Sequence, residues 1–303
     1  AAAFNVSTVA FAGSFTPLFG ESNVFRSPDD RSLQIHLNQY TGSGFRSSNL
    51  YDHGFFSSKI KLPSPDYTAG IVVAFYLTNG DMFRAHDELD FEFLGNVRGK
   101  PWSFQTNMYG NGSTSRGREE RYHLWFDPSH ELHSYSILWT TKKIIFFVDD
   151  VPIREITKKV EMGGDFPAKP MALYATVWDA SSWATSGGKY KVNYKYAPFV
   201  VEFSDLVLHG CISDPLEEVV GTAPQNSCDD VGDIADIKPK QRAAMNKFRL
   251  TYMYYCYCYH DLRYSTPLPE CVIDAAEKRL FSESGEVSVQ ERQRRQRRWK
   301  KAA

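Results

Sequence analysis

Short segments that alternate apolar and polar residues fill the first two thirds of the chain. A side-chain period of two is typical of half-buried strands, and a short continuous apolar run is typical of a buried strand. The clearest segments of the two kinds are Ser32–Leu37, Ser58–Leu62, Ile71–Leu77, Ile144–Val148 and Lys189–Tyr196. Because Gly, Pro and Asn separate them at regular intervals, the pattern predicts an all-β sandwich or barrel over residues 1–210.

The pattern changes after Cys211. Residues 213–237 are acidic and rich in turn residues, residues 240–250 carry helix-forming side chains, and residues 251–255 read as a strand. These features predict an αβ extension after the β domain. We therefore expect a β domain at 1–210, a C-terminal extension at 211–285 and a disordered basic tail at 286–303.

Composition is consistent with a folded domain that has an unusual aromatic content. The chain has 303 residues, of which 42% are hydrophobic and 23% charged, so it can bury a core. It contains 21 Phe, 17 Tyr and 6 Trp. Such side chains suit ligands that are flat, partly apolar and hydrogen-bonding, such as sugar rings or nucleobases. Because no apolar run approaches the roughly 20 residues that cross a bilayer, an integral membrane protein is excluded.

The near-neutral charge hides an asymmetry. Residues 291–301 carry seven cationic side chains against Glu291, a net charge of +6, which leaves −7 for the rest of a chain whose formal charge is −1. The tail could be a solvated end, could adhere to an acidic polysaccharide, or could bind nucleic acid. The acidic body disfavours the last alternative.

The five cysteines all lie in the last third of the chain. They are Cys211, Cys228, Cys256, Cys258 and Cys271. The clustering predicts a disulfide-bonded segment in a secreted protein. Cys211 with Cys228 would close one short loop, while Cys256 and Cys258 compete for Cys271. Zinc is disfavoured, because a single residue between two cysteines does not match the usual ligand spacing.

The chain's beginning and two sequons fit secretion. There is no initiating Met and no signal-like opening, so we expect that a signal peptide has been removed or that the sequence starts at an arbitrary boundary. Asn5 and Asn111 begin sequons and are candidate glycosylation sites, although each motif is short.

The sharpest chemical feature is the segment His86–Leu94. From Glu88 onward, acids alternate strictly with apolar residues. On a strand, one face would carry Glu88, Asp90 and Glu92, and the core face would carry Leu89, Phe91 and Phe93. A solvated strand face is disfavoured because neighbouring like charges repel, and a calcium loop is disfavoured because it needs turning backbone.

Three aligned carboxylates favour cleavage of a glycosidic bond. One ionised carboxylate attacks the anomeric carbon, and a protonated one donates to the leaving oxygen. Two Glu side chains can lean toward each other across the shorter Asp90, which can hydrogen-bond a neighbour and separate the two pKa values. Because carboxylates perform every step, we expect no cofactor and no metal.

The segment His86–Asn96, with sequence HDELDFEFLGN, resembles the active-site strand of plant xyloglucan endotransglucosylase/hydrolases in glycoside hydrolase family 16. The resemblance continues through nearly the whole chain, for example at Leu124–Pro128, Leu173–Trp178 and Pro269–Cys271. It implies a concave antiparallel β-jelly roll. It also implies retaining chemistry on the β-1,4-glucan backbone of xyloglucan, in the plant cell wall or apoplast. From charge and hydrophobicity we expect neither a nucleic-acid partner nor a membrane partner, and we expect a monomer.

The resemblance also implies roles for individual residues. Glu88 matches the nucleophile, Asp90 the helper and Glu92 the acid/base. The implied substrate-binding residues are Tyr76, Gln105, Asn107, Arg118, Glu119, Trp178, Asp179, Trp183, Gly187 and Arg263. The implied partners are xyloglucan and its oligosaccharide acceptors, with acidic wall polysaccharide as a candidate for the tail. A Cys258–Cys271 disulfide is implied too, which leaves Cys256 unpaired.

Several departures from the family pattern bear on the reaction. Asn96 does not begin a sequon, the loop Thr78–Ala85 is longer, and Asp179, Ser181 and Ser182 replace other residues. They resemble a divergent subgroup that includes predominantly hydrolytic enzymes, so hydrolysis of xyloglucan is the alternative to transfer. A non-catalytic, lectin-like jelly roll and a structural wall protein are further alternatives, but neither would need three aligned carboxylates.

Overall fold

The computed structural model describes residues 6–64, 66–80, 85–213, 231–288, 291 and 294. Over these residues the chain forms fifteen strands. In chain order they are β1 Phe15–Phe19, β2 Val24–Arg26, β3 Ser32–Leu37, β4 Ser43–Ser47, β5 Tyr51–Lys61, β6 Ile71–Thr78, β7 Glu88–Leu94, β8 Ser103–Tyr109, β9 Glu120–Tyr122, β10 His133–Trp139, β11 Lys143–Val148, β12 Val151–Thr157, β13 Ala172–Asp179, β14 Phe199–Ile212 and β15 Met253–Cys256.

The strands form two antiparallel sheets. One sheet has the order β1-β4-β13-β6-β7-β8-β9-β15, and the other has the order β12-β11-β10-β5-β14-β3-β2. The β-sandwich predicted from the alternation is therefore confirmed. Strand β7 lies in the interior of the eight-stranded sheet, between β6 and β8, so its backbone is held by hydrogen bonds on both sides.

Within the described ranges helices are few, and three of the four α-helices lie in the C-terminal part. The α-helices are α1 Ala184–Gly188, α2 Gly232–Ala235, α3 Pro239–Tyr252 and α4 Ala275–Lys278, and the short 3₁₀ helices are Glu21–Asn23, Val160–Asp165, Tyr194–Tyr196 and Tyr257–Tyr259. No helix in the described part of the chain is long and apolar enough to cross a membrane.

The predicted αβ extension is confirmed at α3 and β15. The helix is longer than the predicted 240–250, because Pro239 suits its first turn and Gln241 accepts a hydrogen bond from the Lys238 N–H. It also continues to Tyr252, where a strand was expected. Strand β15 then pairs with β9, so the extension adds an edge strand to the sheet that contains β7.

The core lies between the two sheets and is strongly aromatic. Phe91 and Phe93 on β7 are fully buried. Phe91 packs edge-on against Phe146 of β11 at 5.2 Å, and Phe93 packs edge-on against Tyr135 of β10 at 4.8 Å. Burial of each such ring stabilises the fold by roughly 1.5–3 kcal/mol, so one face of β7 is fixed firmly to the opposite sheet.

The strand predicted at Lys189–Tyr196 is wrong. The segment is a loop that ends in the 3₁₀ helix Tyr194–Tyr196. Its polar groups are satisfied by a neighbouring loop instead of a strand, since Val192 N–H donates to Ser181 Oγ and Lys191 Nζ donates to the Ser181 carbonyl. An alternating pattern alone does not show whether a segment is hydrogen-bonded to a neighbouring strand or to a neighbouring loop.

Candidate active site

Three carboxylates lie in a row on β7, on the face of the sheet that points away from the core. Asp90 stands opposite Tyr76 of β6 and Asn107 of β8, and Glu92 stands opposite Gln105. The intervening residue Phe91 faces the core, as the period of two predicts. The acidic face therefore borders residues from both neighbouring strands.

Glu88 is held by two polar neighbours while part of its side chain stays exposed. Its Oε2 lies 3.2 Å from Nε2 of the buried His86, and its side chain is 19% exposed. Asp90 also shares a side-chain hydrogen bond with Glu88. These contacts orient the Glu88 carboxylate without covering it, which is the arrangement that a nucleophile requires.

Asp90 is the buried member of the row, with 4% of its surface exposed. Burial raises its pKa well above the usual range, and the charges of Glu88 and Glu92 raise it further. A carboxyl group that keeps its proton can donate it in a hydrogen bond. The structure therefore favours a protonated Asp90 that donates to Glu88.

Glu92 has the properties of a proton donor. Burial raises its pKa, and the charge of Glu88 adds to this effect, whereas a hydrogen bond from Gln105 opposes it. Gln105 Nε2 donates to Glu92 Oε2 at 2.5 Å, and Arg121 Nε donates to Gln105 Oε1 at 3.0 Å. The Arg121 guanidinium lies 4.8 Å from the ring centre of Tyr255 in the extension. A relay of side chains thus orients Glu92 from the extension side.

The start of β7 is anchored by Asp87, whose surface is 1% exposed. Its carboxylate accepts backbone N–H bonds from Asn111 at 2.6 Å, Ala168 at 2.8 Å and Lys169 at 2.9 Å, and the Lys169 ammonium lies 3.2 Å away. Four donors on one carboxylate make a strong local anchor. The residue next to Glu88 is thereby tied to two distant loops.

A groove of about 640 Å³ runs over the carboxylates and has an aromatic wall. Tyr76 stacks on Tyr174 with ring centres 5.3 Å apart. Burial raises the pKa of the Tyr76 phenol, and the nearby Glu88 charge raises it further, so the hydroxyl remains a donor. Leu18 and Phe19 also line the groove.

Sequence reasoning missed several of these groove residues. Tyr174 and Thr176 alternate on β13 with the buried Leu173 and Ala175, so the period of two could have placed them on the same face as Trp178. Leu18 and Phe19 had no such signal. They lie at the end of the short edge strand β1, and only the sheet order brings them to the groove.

Trp178 and Trp183 lie together at one end of the groove, with ring centres 6.0 Å apart. Trp183 is 41% exposed and can present its ring to a ligand. Asp179 is engaged within its own loop, because it accepts hydrogen bonds from Ser181 N–H and the Tyr194 hydroxyl. It therefore orders the loop between the two tryptophans.

Gly187 lies in the helical turn α1 with φ of +66°. A side chain there would meet no atom within 4 Å, so the left-handed backbone is the reason for glycine at this position. This turn belongs to the same loop as Trp183.

Arg118 and Asn107 are buried beneath the groove surface, and a direct contact of either residue with substrate stays a prediction. Arg118 is fully buried, with Nε 2.6 Å from Glu270 and Nη2 2.7 Å from Asp165. Asn107 is 3% exposed, and its Oδ1 accepts the Arg118 N–H. A buried arginine needs such carboxylate partners, so these residues tie β8 to the extension.

Glu119 and Arg263 form an ion pair that joins the β domain to the extension. Arg263 Nη1 lies 2.7 Å from Glu119 Oε2 and 3.4 Å from the Tyr255 hydroxyl. The Glu119 charge contributes to the raised pKa values of Asp90 and Glu92. The pair therefore lies close enough to influence the carboxylate row electrostatically.

A comparison with known protein families agrees with the arrangement of carboxylates in the groove. The family model described as glycosyl hydrolases family 16 matches residues 11–196, which is more than half of the chain. The chain belongs to glycosyl hydrolase family 16.

Individual relatives place this family 16 member among the xyloglucan endotransglucosylase/hydrolases. It is 62% identical to the probable xyloglucan endotransglucosylase/hydrolase protein 30 of Arabidopsis thaliana, over 97% of this chain and 86% of that protein. Protein 29 of the same plant is 60% identical over 93% of this chain and 83% of its own length.

Solved structures confirm the jelly-roll fold of this family 16 member. A lichenase derived from a mouse hindgut metagenome matches 69% of this chain and all of its own, with a TM-score of 0.54 and 20% identity. The Bacillus licheniformis β-glucanase matches 66% of this chain and 92% of its own, with a TM-score of 0.51 and 22% identity. At these identities the likeness concerns the fold.

The cysteines of this family 16 member follow the expected pattern where the structure describes them. Cys258 and Cys271 form a disulfide, and Cys256 is a buried free thiol whose pKa is raised by burial. Cys211 is disulfide-bonded. Its predicted partner Cys228 lies outside the described residues, so the Cys211–Cys228 pairing stays a prediction.

The two sequons differ in what the structure describes. Asn111 is exposed with φ of +51°, and its Oδ1 accepts a hydrogen bond from Lys169 Nζ at 3.2 Å. Glycosylation at Asn111 stays a prediction. Asn5 lies outside the described residues.

The described ranges contain no cluster of three or more His, Cys, Asp or Glu side chains suited to hold a metal ion. The groove provides one oriented carboxylate, Glu88, two carboxyl groups with a raised pKa, Asp90 and Glu92, and an aromatic wall. This combination can support nucleophilic attack assisted by a proton donor.

Proposed function

We propose that this chain is a retaining, endo-acting xyloglucan endotransglucosylase/hydrolase that cleaves the β-1,4-glucan backbone of xyloglucan during remodelling of the plant cell wall. The observation that carries the proposal is the row on β7. Glu88 is partly exposed and oriented by His86 and Asp90, whereas burial raises the pKa of Glu92. One carboxylate is prepared to attack and the other to donate a proton.

In the first half of the reaction, Glu88 attacks the anomeric carbon of a backbone glucose. Glu92 donates its proton to the glycosidic oxygen, and the leaving chain departs with a new hydroxyl group. The product is a covalent ester between the donor glucan and Glu88. As negative charge leaves Glu88, the hydrogen bond from Asp90 is free to weaken, so Asp90 acts as a helper.

In the second half, Glu92 is ionised and acts as the base. It takes a proton from an acceptor hydroxyl, whose oxygen attacks the anomeric carbon and releases Glu88. Two displacements restore the original configuration. The acceptor can be the end of another xyloglucan chain or water, and this choice alone separates transfer from hydrolysis.

The groove supports a long sugar substrate. Tyr76, Tyr174 and Trp178 supply aromatic faces beside the carboxylates, which suit the apolar faces of pyranose rings. Toward the extension, the Glu119–Arg263 pair and the Gln105–Arg121 contact supply polar groups. We assign the polar side to the acceptor, where it would favour sugar over water.

Substitution of the nucleophile tests the proposal. Glu88→Ala should lower xyloglucan turnover by roughly 10³-fold or more, because no other group forms the covalent intermediate. Glu202→Ala removes a half-exposed Glu from β14 of the other sheet and serves as the matched control. Turnover and urea unfolding are measured for both variants. Retained turnover in a folded Glu88→Ala protein would refute the assignment.

The acceptor is identified by incubation of xyloglucan with and without a fluorescent xyloglucan oligosaccharide. We expect the label to enter long chains, which reports transfer. Shortening of the polymer without label incorporation would instead establish a predominantly hydrolytic enzyme. Binding without any change in chain length would support the lectin-like alternative.

We further propose that the protein is secreted to the plant cell wall and acts there as a monomer. A disulfide such as Cys258–Cys271 persists best in an oxidising compartment. We propose that the basic tail, most of which lies outside the described residues, adheres to acidic wall polysaccharide, since residues 291–301 carry a net charge of +6.

A further inference from the structure

A second surface of unusual chemistry lies next to the loop that carries Trp183. It combines exposed cations with tyrosine rings, and we call it the basic tyrosine surface. Its cations are Arg98, Lys100, Lys189, Lys191 and Lys195, and its rings are Tyr67, Tyr190, Tyr194 and Tyr196. These nine residues stand on a body whose net charge without the tail is negative.

Tyr196 lies at the centre of this surface. Arg98 Nη2 donates to its hydroxyl at 2.6 Å, and Lys195 Nζ lies 4.9 Å from its ring centre. Tyr67 stacks on the ring at 6.0 Å. Hydrogen bonds from Lys195 and Arg98 lower the pKa of the Tyr196 phenol, as expected for a site of positive potential.

Hydrogen bonds connect the surface to the end of the groove. The Tyr67 hydroxyl donates to the Lys191 carbonyl at 3.1 Å, and Lys191 Nζ donates to the Ser181 carbonyl at 2.7 Å. The Tyr194 hydroxyl donates to Asp179, which follows Trp178 directly. Lys189, Lys191 and Lys195 are therefore presented from an ordered loop beside the aromatic end of the groove.

The cations of this surface have no carboxylate partner among the residues that the structure describes. Among the described residues, none of the five has a carboxylate oxygen within 4.0 Å, whereas exposed cations elsewhere do, as in Lys59–Asp205 at 2.7 Å and Arg116–Asp165 at 2.8 Å. Asp179, the acid nearest in the loop, already accepts two hydrogen bonds. Unneutralised cations on an acidic body are suited to an anionic partner.

We propose that the basic tyrosine surface binds a polysaccharide that carries uronate carboxylates, beside the groove that holds the neutral glucan. Tyr190 is 37% exposed and Trp183 is 41% exposed, so both can offer ring faces to a sugar. The cations supply charge-assisted hydrogen bonds to carboxylates spaced along the polymer. The site would hold the enzyme on an acidic matrix while its groove remains open.

The first experiment removes three charges from the full-length protein by Arg98→Gln, Lys191→Gln and Lys195→Gln together. The matched control is Lys142→Gln, Lys240→Gln and Lys247→Gln, which removes three exposed cations from other surfaces. Binding of a galacturonic acid oligosaccharide is measured by calorimetry at low and moderate salt, and thermal unfolding confirms folding. We expect the first variant to bind about tenfold more weakly than the control. Equal weakening in both would overturn the proposal.

The second experiment locates the bound sugar, because the tail is also basic. A carbodiimide activates the oligosaccharide carboxylates, and a nearby lysine amine then forms an amide while the carbodiimide leaves as its urea. Peptide mapping should find the sugar on Lys100, Lys189, Lys191 or Lys195. Attachment only to Lys300 and Lys301 would refute the site and assign binding to the tail. Binding of a DNA duplex that is as tight and as sensitive to the triple substitution would refute selectivity for uronates.

Discussion

At the scale of single residues, the side chain of Asp90 is one methylene group shorter than those of Glu88 and Glu92, and this difference gives the residues of the carboxylate row different roles. Asp90 is 4% exposed, whereas the longer side chain of Glu88 reaches the groove and is 19% exposed. The short residue is buried between two charges that favour its protonated form, whereas the two longer residues are only partly buried. Equivalent backbone positions thereby acquire different acid–base chemistry.

The contact between Gln105 and Glu92 leads to a prediction about pH. Gln105 donates to the carboxylate and so opposes the rise in the pKa of Glu92. In Gln105→Leu this pKa should rise further, so Glu92 stays protonated to higher pH. The alkaline limb of kcat/KM should therefore move upward, with kcat/KM on the plateau falling by about tenfold because Glu92 loses an orienting donor.

Full pH profiles of kcat/KM on xyloglucan test this prediction. Gln34→Leu is the control, because Gln34 is partly exposed on β3 of the other sheet. An alkaline limb that stays in place or moves down in Gln105→Leu would contradict the role given to Gln105. A loss of kcat/KM without any movement of the limb would mean that Gln105 serves substrate binding alone.

At the scale of elements, helix α3 is fastened to strand β9 through a buried charge network. Arg249 on α3 contacts Glu120 of β9 at 2.6 Å and Glu277 of α4 at 2.6 Å. Burial alone would raise the pKa of Glu120, but Arg249 and Arg154 outweigh it and hold this pKa at about 2. The extension is thus coupled to the sheet that carries the active site.

Removal of Arg249 should destabilise this junction strongly. Arg249→Met leaves two buried carboxylates with weakened compensation, which should cost about 3–5 kcal/mol in the free energy of unfolding. Arg242→Met is the matched control from the same helix, because Arg242 is 42% exposed in its pair with Glu155. Urea unfolding checks both variants. Equal and small losses would contradict a structural role for the network.

The same network predicts acid sensitivity. The pKa of Glu120 is lower in the folded state, at about 2, than its ordinary value of 4.5. Its contribution is therefore fully present above pH 4.5 and is lost as pH falls toward 2, by about 3 kcal/mol in total. Unfolding free energies measured across this interval should decline, and the decline should be smaller in Arg249→Met. An equal slope in both proteins would contradict the coupling.

Elements could be predicted from the sequence where their own burial sets the spacing of their apolar residues. The two faces of β7 follow from strict alternation, and α3 was misplaced only at its ends. Contacts between distant residues left no such signal. Asp87 is bound by residues 24, 81 and 82 positions away, and Arg118 by Glu270, which is 152 positions away. The loop at 189–196 alternates like a strand, yet its partners belong to another loop.

At the scale of the whole molecule, the extension completes the groove sheet. Strand β15 is the outermost strand next to β9, and Arg263 reaches from the extension to Glu119. The disulfide Cys258–Cys271 lies in this extension and closes a loop with a sequence separation of 13. Order in the extension therefore contributes directly to the polar side of the groove.

Loss of that disulfide should affect both stability and acceptor use. Cys258→Ser with Cys271→Ser should lower the free energy of unfolding by about 3 kcal/mol, chiefly because the unfolded chain gains conformational freedom. The KM for the acceptor oligosaccharide should rise more than the KM for the donor polymer. Cys256→Ser is the control, since Cys256 forms no disulfide. Unchanged acceptor kinetics in the double variant would contradict the link between the extension and the groove.

Because of the strict alternation on β7, this strand cannot tolerate a one-residue shift in its register. Deletion of any one residue between Glu88 and Phe93 would turn the following phenylalanines toward the groove and the carboxylates toward the core. Neither sheet could accept that exchange, because Phe91 and Phe93 are fully buried against β10 and β11. A change that disrupts this alternation would therefore abolish folding and catalysis together. Point substitutions in this strand can alter the activity of the enzyme, but an insertion or a deletion would prevent the protein from folding.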